Sequence, residues 1–267
     1  MGFGVIIIGD EILSGKRQDK HLSRVIASLQ QRGLQLDWAE YVGDQPERII
    51  ATLRRSFASG DIVFSTGGIG ATPDDHTRQC AAAALDLPVV LHPEAKVCIQ
   101  QRIQSMAAEA GQTVDLDSPD NLQRLKMGEF PQGAALIPNP YNNIPGFAIQ
   151  HHYFVPGFPV MAWPMIDWVL DTHYPHLFHQ QPKAEKAVLV YDAIESVLTP
   201  LMEQLEQDFP LIKIFSLPSV ATATERRHIE LGVKGDPQQV DAAFQVMLSG
   251  LDALQSEYVP APLQAKV

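Results

Sequence analysis

The stretch that most constrains the fold of this chain is Asp61-Ile-Val-Phe-Ser-Thr-Gly-Gly-Ile-Gly-Ala-Thr-Pro-Asp-Asp-His-Thr77. Ile62 to Phe64 is a short apolar run of the kind that forms a strand buried on both faces. Gly67, Gly68 and Gly70 follow; residues without side chains let the chain turn sharply and let a polar ligand approach the peptide N–H groups. Thr72, Pro73 and Asp75 read as the N-cap, the first position and the third-residue acid of a helix. A strand, a glycine turn and a helix start together form an arrangement that holds phosphate. Asp74 and Asp75 at that start repel a bare anion, so the expected ligand is a phosphate bridged to the protein by a divalent cation, Mg2+ or Co2+. Capping alone accounts for Asp75 through Thr72, which leaves Asp74 as the acid with no structural role. The stretch is not a dinucleotide fingerprint, because Pro73 stands where a third glycine belongs. Gly15-Lys16 is not a Walker loop either, since Arg17 follows and Asp10 replaces the earlier glycine.

The rest of the N-terminal part repeats the strand–helix rhythm. Phe3 to Ile8 predicts a buried strand ending in Gly9-Asp10-Glu11. Leu22, Val25, Ile26 and Leu29 share one face of a helix closed by Gly33. Leu36 to Val42 predicts a second strand leading through Gly43-Asp44 to a helix from Pro46, and an Ala-rich helix that Pro88 stops follows the glycine turn. This βαβαβα order implies a parallel sheet covered on both faces, with ligands beyond the carboxyl ends of its strands. Gly9-Asp10-Glu11, Asp44 and the 66–75 loop would all lie on that edge. Val89 to Leu91 reads as a further short strand, and helices are expected over 93–111 and 119–126. Strands are expected over 134–137, 147–150 and 152–155, the last two forming a hairpin at Gln150-His151. The proline-rich loops 138–146 and 156–159 cannot be element interiors. A helix runs on from the second to about Asp171.

His173, His176 and His179 recur every third residue, but Pro175 breaks the geometry that would aim them at one metal. With Gln180-Gln181-Pro182 they read as a polar linker between a domain over 1–176 and a smaller one over 183–267. That second part predicts β-α-β-β-α order, an α+β unit of split-βαβ character. Its 216–227 segment reads as a solvated loop, with Arg226 and Arg227 in it.

A 267-residue chain with 45% hydrophobic content is long enough for one large domain and one small one. The net charge of −11 argues against nucleic acid or an anionic membrane as partner. No apolar stretch approaches a membrane span or a signal segment. The two cysteines, Cys80 and Cys98, suggest no disulfide framework. A cytoplasmic protein with a small phosphate-bearing ligand, assembled as a homo-oligomer, is expected.

Together, Gly9-Asp-Glu-Ile-Leu-x-Gly15, Gly43-Asp44, Gly67-Gly-x-Gly-x-Thr-x-Asp-Asp75 and Phe154-x-Pro-Gly-x-Pro159 resemble the N-terminal domain of competence-damage-inducible protein A (CinA). That domain is similar to the wider MoaB/MogA molybdopterin-binding family. The resemblance covers residues 3 to 172 by motif and the C-terminal part in general pattern. It implies a three-layer α/β/α fold binding molybdopterin or a nucleotide phosphate. The ligand-binding positions it implies are Gly9, Asp10, Glu11, Asp44, Thr66, Gly67, Gly68, Gly70, Thr72, Asn139, Gly146, Pro156 and Gly157. Asp74 and Asp75 would be the catalytic pair and, with Asp10, the metal ligands. Activities found in such families are metal-dependent ADP-ribose pyrophosphatase and molybdopterin adenylylation; a silent assembly or regulatory subunit is the alternative. The deamidase domain that many CinA proteins carry is not expected here. Five positions depart from the CinA pattern. Ala71 replaces a proline, Asn142-Asn143 a Gly-Thr pair, Met161 a glutamate and His21 an asparagine. Ligand binding therefore has more support than turnover.

Overall fold

The computed structural model describes residues 1–180, 184–221 and 226–262. By its internal contacts the chain divides into two compact units, Met1–Phe178 and His179–Val267. Residues 181–183, which include part of the expected linker and the expected start of the second domain, lie outside the described residues.

The first unit opens with β1 (Phe3–Ile8), whose residues are all buried, then α1 (Asp10–Leu13), α2 (His21–Gln31), β2 (Trp38–Val42), α3 (Pro46–Ser59) and β3 (Ile62–Thr66). It continues with α4 (Thr77–Ala84), β4 (Val89–Leu91), α5 (Pro93–Glu109), α6 (Pro119–Leu125), β5 (Glu129–Pro131) and β6 (Ala135–Ile137). The hairpin β7 (Gly146–Ile149) and β8 (His152–Val155) and the closing helix α7 (Pro159–His173) complete it. The main sheet has the order β2-β1-β3-β8-β7-β6, parallel through β8 and antiparallel beyond. Strand alternation builds the three layers. Phe3, Val5 and Ile7 pack with α2 and α7 through Val25, Leu29, Ile166 and Val169, whereas Ile6 and Ile8 pack with Ile49, Leu53, Cys80 and Ala81 of α3 and α4.

β4 does not extend the main sheet. It pairs with β5 in a separate two-stranded ladder, and none of its three residues is buried. β5 has no sequence signal beyond Phe130. The Gln150-His151 turn is as expected, with Gln150 at φ 53°. His173 ends α7 rather than belonging to a linker, stacking against Tyr153 at 5.9 Å.

The second unit contains β9 (Ala184–Tyr191), α8 (Glu195–Asp208), β10 (Ile212–Pro218), β11 (His228–Gly235), α9 (Pro237–Ala253) and β12 (Tyr258–Pro260). Its antiparallel sheet has the order β10-β11-β9-β12. β12 completes a βαββαβ ferredoxin-like unit. The expected solvated loop is shorter than its sequence suggests, because β10 runs on to Pro218, and its residues 222–225 lie outside the described residues. Arg226 is committed to Asp192 and Glu257, at 2.5 and 2.9 Å. Among the described residues no helix is long and apolar enough to cross a membrane.

Candidate functional site

The topology brings the motif loops to one edge. β1, β2, β3 and β8 run parallel, so the segments after Ile8, Val42, Thr66 and Val155 leave the sheet at the same end. β7 is antiparallel to β8 and β6 to β7, which puts Gly146 and the 138–145 loop there too. Backbone bonds stitch the loops together: Gly9 N–H donates to Val42 O at 3.0 Å, and Gly67 N–H to Val155 O at 3.1 Å.

The glycine turn is fixed from behind. Gly67 and Gly68 adopt φ +99° and +67°. A Cβ on Gly67 would lie 2.2 Å from Ile8 O, and one on Gly68 2.1 Å from Thr77 Oγ1. Three successive carbonyls of the turn are engaged by the start of α4. The Thr77 hydroxyl donates to Gly67 O at 3.1 Å, Thr77 N–H to Gly68 O at 2.9 Å, and Arg78 Nη1 to Ile69 O at 2.9 Å. Peptide groups whose carbonyls point back into the fold turn their N–H groups the other way. The N–H groups of Gly68, Ile69, Gly70 and Ala71 have no partner among the described residues. Such a run of free donors in a turn is an anion-binding concavity. The buried Thr66 hydroxyl at the strand end also lacks a partner.

The helix start differs from the sequence expectation. α4 begins at Thr77, after His76, and Thr72 is not its N-cap. Residues 72–75 form a turn closed by Asp75 N–H to Thr72 O at 3.1 Å. Thr72 N–H donates to Asp75 Oδ2 at 2.9 Å, and its hydroxyl contacts the same oxygen. One half of a capping box is thus present without a helix behind it. The two bonds of Thr77 to the glycine turn set the first helical residue instead. Asp74 and Asp75 are consequently not first-turn acids of the helix. Asp74 is exposed, and hydrogen bonding by Thr72 and then by its own backbone hold its carboxyl below the usual range.

Asp10 and Asp44 make a reciprocal clasp. Asp10 N–H donates to Asp44 Oδ2 at 2.8 Å, and Asp44 N–H to Asp10 Oδ1 at 3.2 Å. Partial burial, then the nearby charges of Asp10, Glu11 and Asp74, push the Asp44 pKa up. Four acids therefore share one neighbourhood, but each of Asp10, Asp44 and Asp75 already uses an oxygen on the backbone. Among the described residues, no group of three or more His, Cys, Asp or Glu side chains could hold a metal ion. The expected trio of Asp74, Asp75 and Asp10 does not form such a group, and the donor set does not fit a resident divalent ion.

The 138–146 loop is closed on itself. Asn139 Nδ2 donates to Asn142 Oδ1 and Ile144 O, while Asn139 Oδ1 accepts from Tyr141 N–H. Asn142 Oδ1 also accepts from Ile144 N–H, and Asn143 Nδ2 reaches Gln101 Oε1 at 3.1 Å. A Cβ on Gly146 would lie 2.4 Å from Phe154 O, which gives that glycine a packing role. Pro156 and Gly157 pass alongside the glycine turn, with a Cβ on Gly157 3.5 Å from Gly67 Cα. A hollow of about 370 Å³ lies beside the acidic clasp, lined by Asp10, Leu13, Tyr41, Gly43 and Arg48 among others. Another, of about 460 Å³, lies between α5 and the asparagine loop. Neither includes a residue of the glycine turn. Thr77 and Arg78 were not among the residues singled out in the sequence. Their only signal is a polar pair entering the buried face of an Ala-rich helix.

Residues 4–178 match the family described as "Probable molybdopterin binding domain". The chain belongs to this family. A competence-damage inducible protein of Thermoanaerobacter pseudethanolicus is 29% identical over 96% of this chain and 60% of its own length. A CinA-like protein of Geobacter is 30% identical over 76% of this chain and 47% of its own length. The chain thus spans about three fifths and about half of these two relatives. The crystal structure of CinA from Thermoplasma acidophilum, at 26% identity, matches with a TM-score of 0.53 over 64% of this chain and 96% of its own. The matched molybdopterin-binding domain coincides with the first compact unit and contains every loop of the shared edge.

Within this CinA-like domain, two departures from the CinA pattern meet. Asn142 Nδ2 contacts Met161 Sδ at 3.4 Å, so an amide faces a thioether where the pattern has a glycine and a carboxylate. A third, His21, is buried, with Nε2 3.0 Å from Gly157 O and Nδ1 unpartnered.

Proposed function

We propose that the first unit binds molybdopterin or a nucleotide through a phosphate seated on the N–H groups of residues 68–71. The observation that carries this is the row of four free donors, three of which, on Gly68, Ile69 and Gly70, are turned outward because Thr77 and Arg78 hold the carbonyls behind them. Family membership supports the pterin; the glycine turn recognises phosphate whatever organic group bears it. The hollow beside Asp10 and Gly43 is large enough to take part of that organic group.

Binding without turnover is favoured. The acids nearest the turn are engaged with the backbone, and Met161 stands where the CinA pattern has a carboxylate. Pyrophosphatase or adenylyl-transfer activity would need a metal to polarise the phosphate, and the donor set described above does not supply three ligands for one. Thermal-shift measurements with ADP-ribose, AMP, ATP, NAD, FAD and a pterin phosphate, each with and without Mg2+ or Co2+, test both parts. Stabilisation by one phosphate ligand without metal, and no AMP released from ADP-ribose, is expected. No stabilisation by any of them would remove the binding site, and metal-dependent AMP release would restore the hydrolase.

A further inference from the structure

Arg78 lies in the first turn of α4 and is 3% exposed. Its Nη1 donates to Ile69 O, and its Nε has no partner. Among the described residues none of the ion pairs includes it, so no carboxylate lies within 4.0 Å. Asp75 and Glu129 act on it only from farther away, and burial outweighs them, pulling its pKa down. A buried cation without a paired anion is costly to the fold, and buried arginines are ordinarily paired. A hydrogen bond to a loop carbonyl needs only a neutral donor, so Ile69 O does not explain the charge.

We infer that Arg78 is the buried counter-charge of the phosphate site, a positioning and specificity residue that selects doubly charged phosphate monoesters. The inference rests on the phosphate reading of residues 68–71. Arg78 grips the third carbonyl of the turn and places a fixed positive charge directly behind the free N–H groups. Asp10, Glu11, Asp44 and Asp74 share the same sheet edge and oppose an anion, so backbone dipoles alone would bind it weakly. A buried charge is also little screened by salt. It favours the form with the most negative charge.

The test is calorimetric titration of the full chain with AMP, on wild type, Arg78→Lys and Arg78→Gln, with melting temperatures measured without ligand. Arg78→Gln keeps a donor and loses the charge; it should bind AMP at least about tenfold more weakly, while Arg78→Lys stays within about threefold. The unliganded melting temperature of Arg78→Gln should not fall, since an unpaired buried charge is removed; a purely structural arginine would lower it. Equal AMP affinity in Arg78→Gln, or an equal loss in both variants, overturns the inference and leaves the phosphate site standing. Should Arg78→Gln not fold, AMP and its methyl phosphodiester compared on wild type decide. The singly charged diester should bind about tenfold more weakly, and equal affinity rejects the role. Wild type that binds no AMP at millimolar concentration removes the phosphate site and this inference together.

Discussion

Two loops rise from the same sheet edge and use their polar groups in opposite ways. In the 67–71 turn every carbonyl through Ile69 is held by α4, and the N–H groups of residues 68–71 are left free. In the 139–144 loop, side-chain amides satisfy the backbone and one another, and each asparagine has partners inside the protein. Both are rich in turn residues, and both belong to motifs shared with CinA. Only the first presents unsatisfied groups to an incoming molecule. A loop binds with what its fold leaves unpaired, and a motif residue whose hydrogen bonds are complete holds the loop in shape.

The sharpest break in this comparison is Gly67→Ala. Its Cβ would meet Ile8 O at 2.2 Å with φ at +99°, and neither backbone can yield cheaply. The expected cost is on the order of 3 kcal/mol, with loss of phosphate binding. Denaturant melts together with a ligand titration check it; an unperturbed protein that still binds would show that the turn is not held from behind. Asn139→Ala should come next, at about 1–3 kcal/mol, because it strands Ile144 O and Tyr141 N–H. Affinity for phosphate ligands should be unchanged, and a selective loss of affinity would instead make the asparagine loop part of the binding surface.

How much of this was visible in the sequence depends on how local each cause is. The strands Phe3–Ile8 and Ile62–Thr66 were legible because their apolar runs dictate burial on both faces. The convergence of Asp10, Asp44 and the glycine turn followed from parallel topology alone. Thr72 misled because Thr-Pro-Asp-Asp carries a local capping signal, whereas the helix start is decided by bonds of Thr77 to carbonyls ten and nine residues earlier. β12 became a strand only by pairing with β9, and Arg78 acquires its meaning from the Ile69 carbonyl. Such long-range partners leave no periodicity to read.

A smaller effect separates the acidic rim from both loops. The pKa of Asp44 is raised in the folded protein, so its protonated form stabilises the fold below the usual carboxylate pKa of 3.8, and that contribution is lost as pH rises through the folded value. The melting temperature of wild type relative to Asp44→Asn should therefore rise as pH falls from neutral into the acid range. A difference that stays constant with pH would mean the four acids do not interact. The smallest change is expected from Thr72→Ala. As an exposed turn residue and not a helix cap, it should alter stability by under about 0.5 kcal/mol in a chemical melt, where a true N-cap would cost about 1.

Backbone amide resonances followed during titration with AMP test the central claim most directly. The N–H signals of Gly68, Ile69, Gly70 and Ala71 should move together and saturably, while those of Asn139 to Ile144 remain in place. Saturable shifts centred on the asparagine loop, with the four turn amides unmoved, would contradict it.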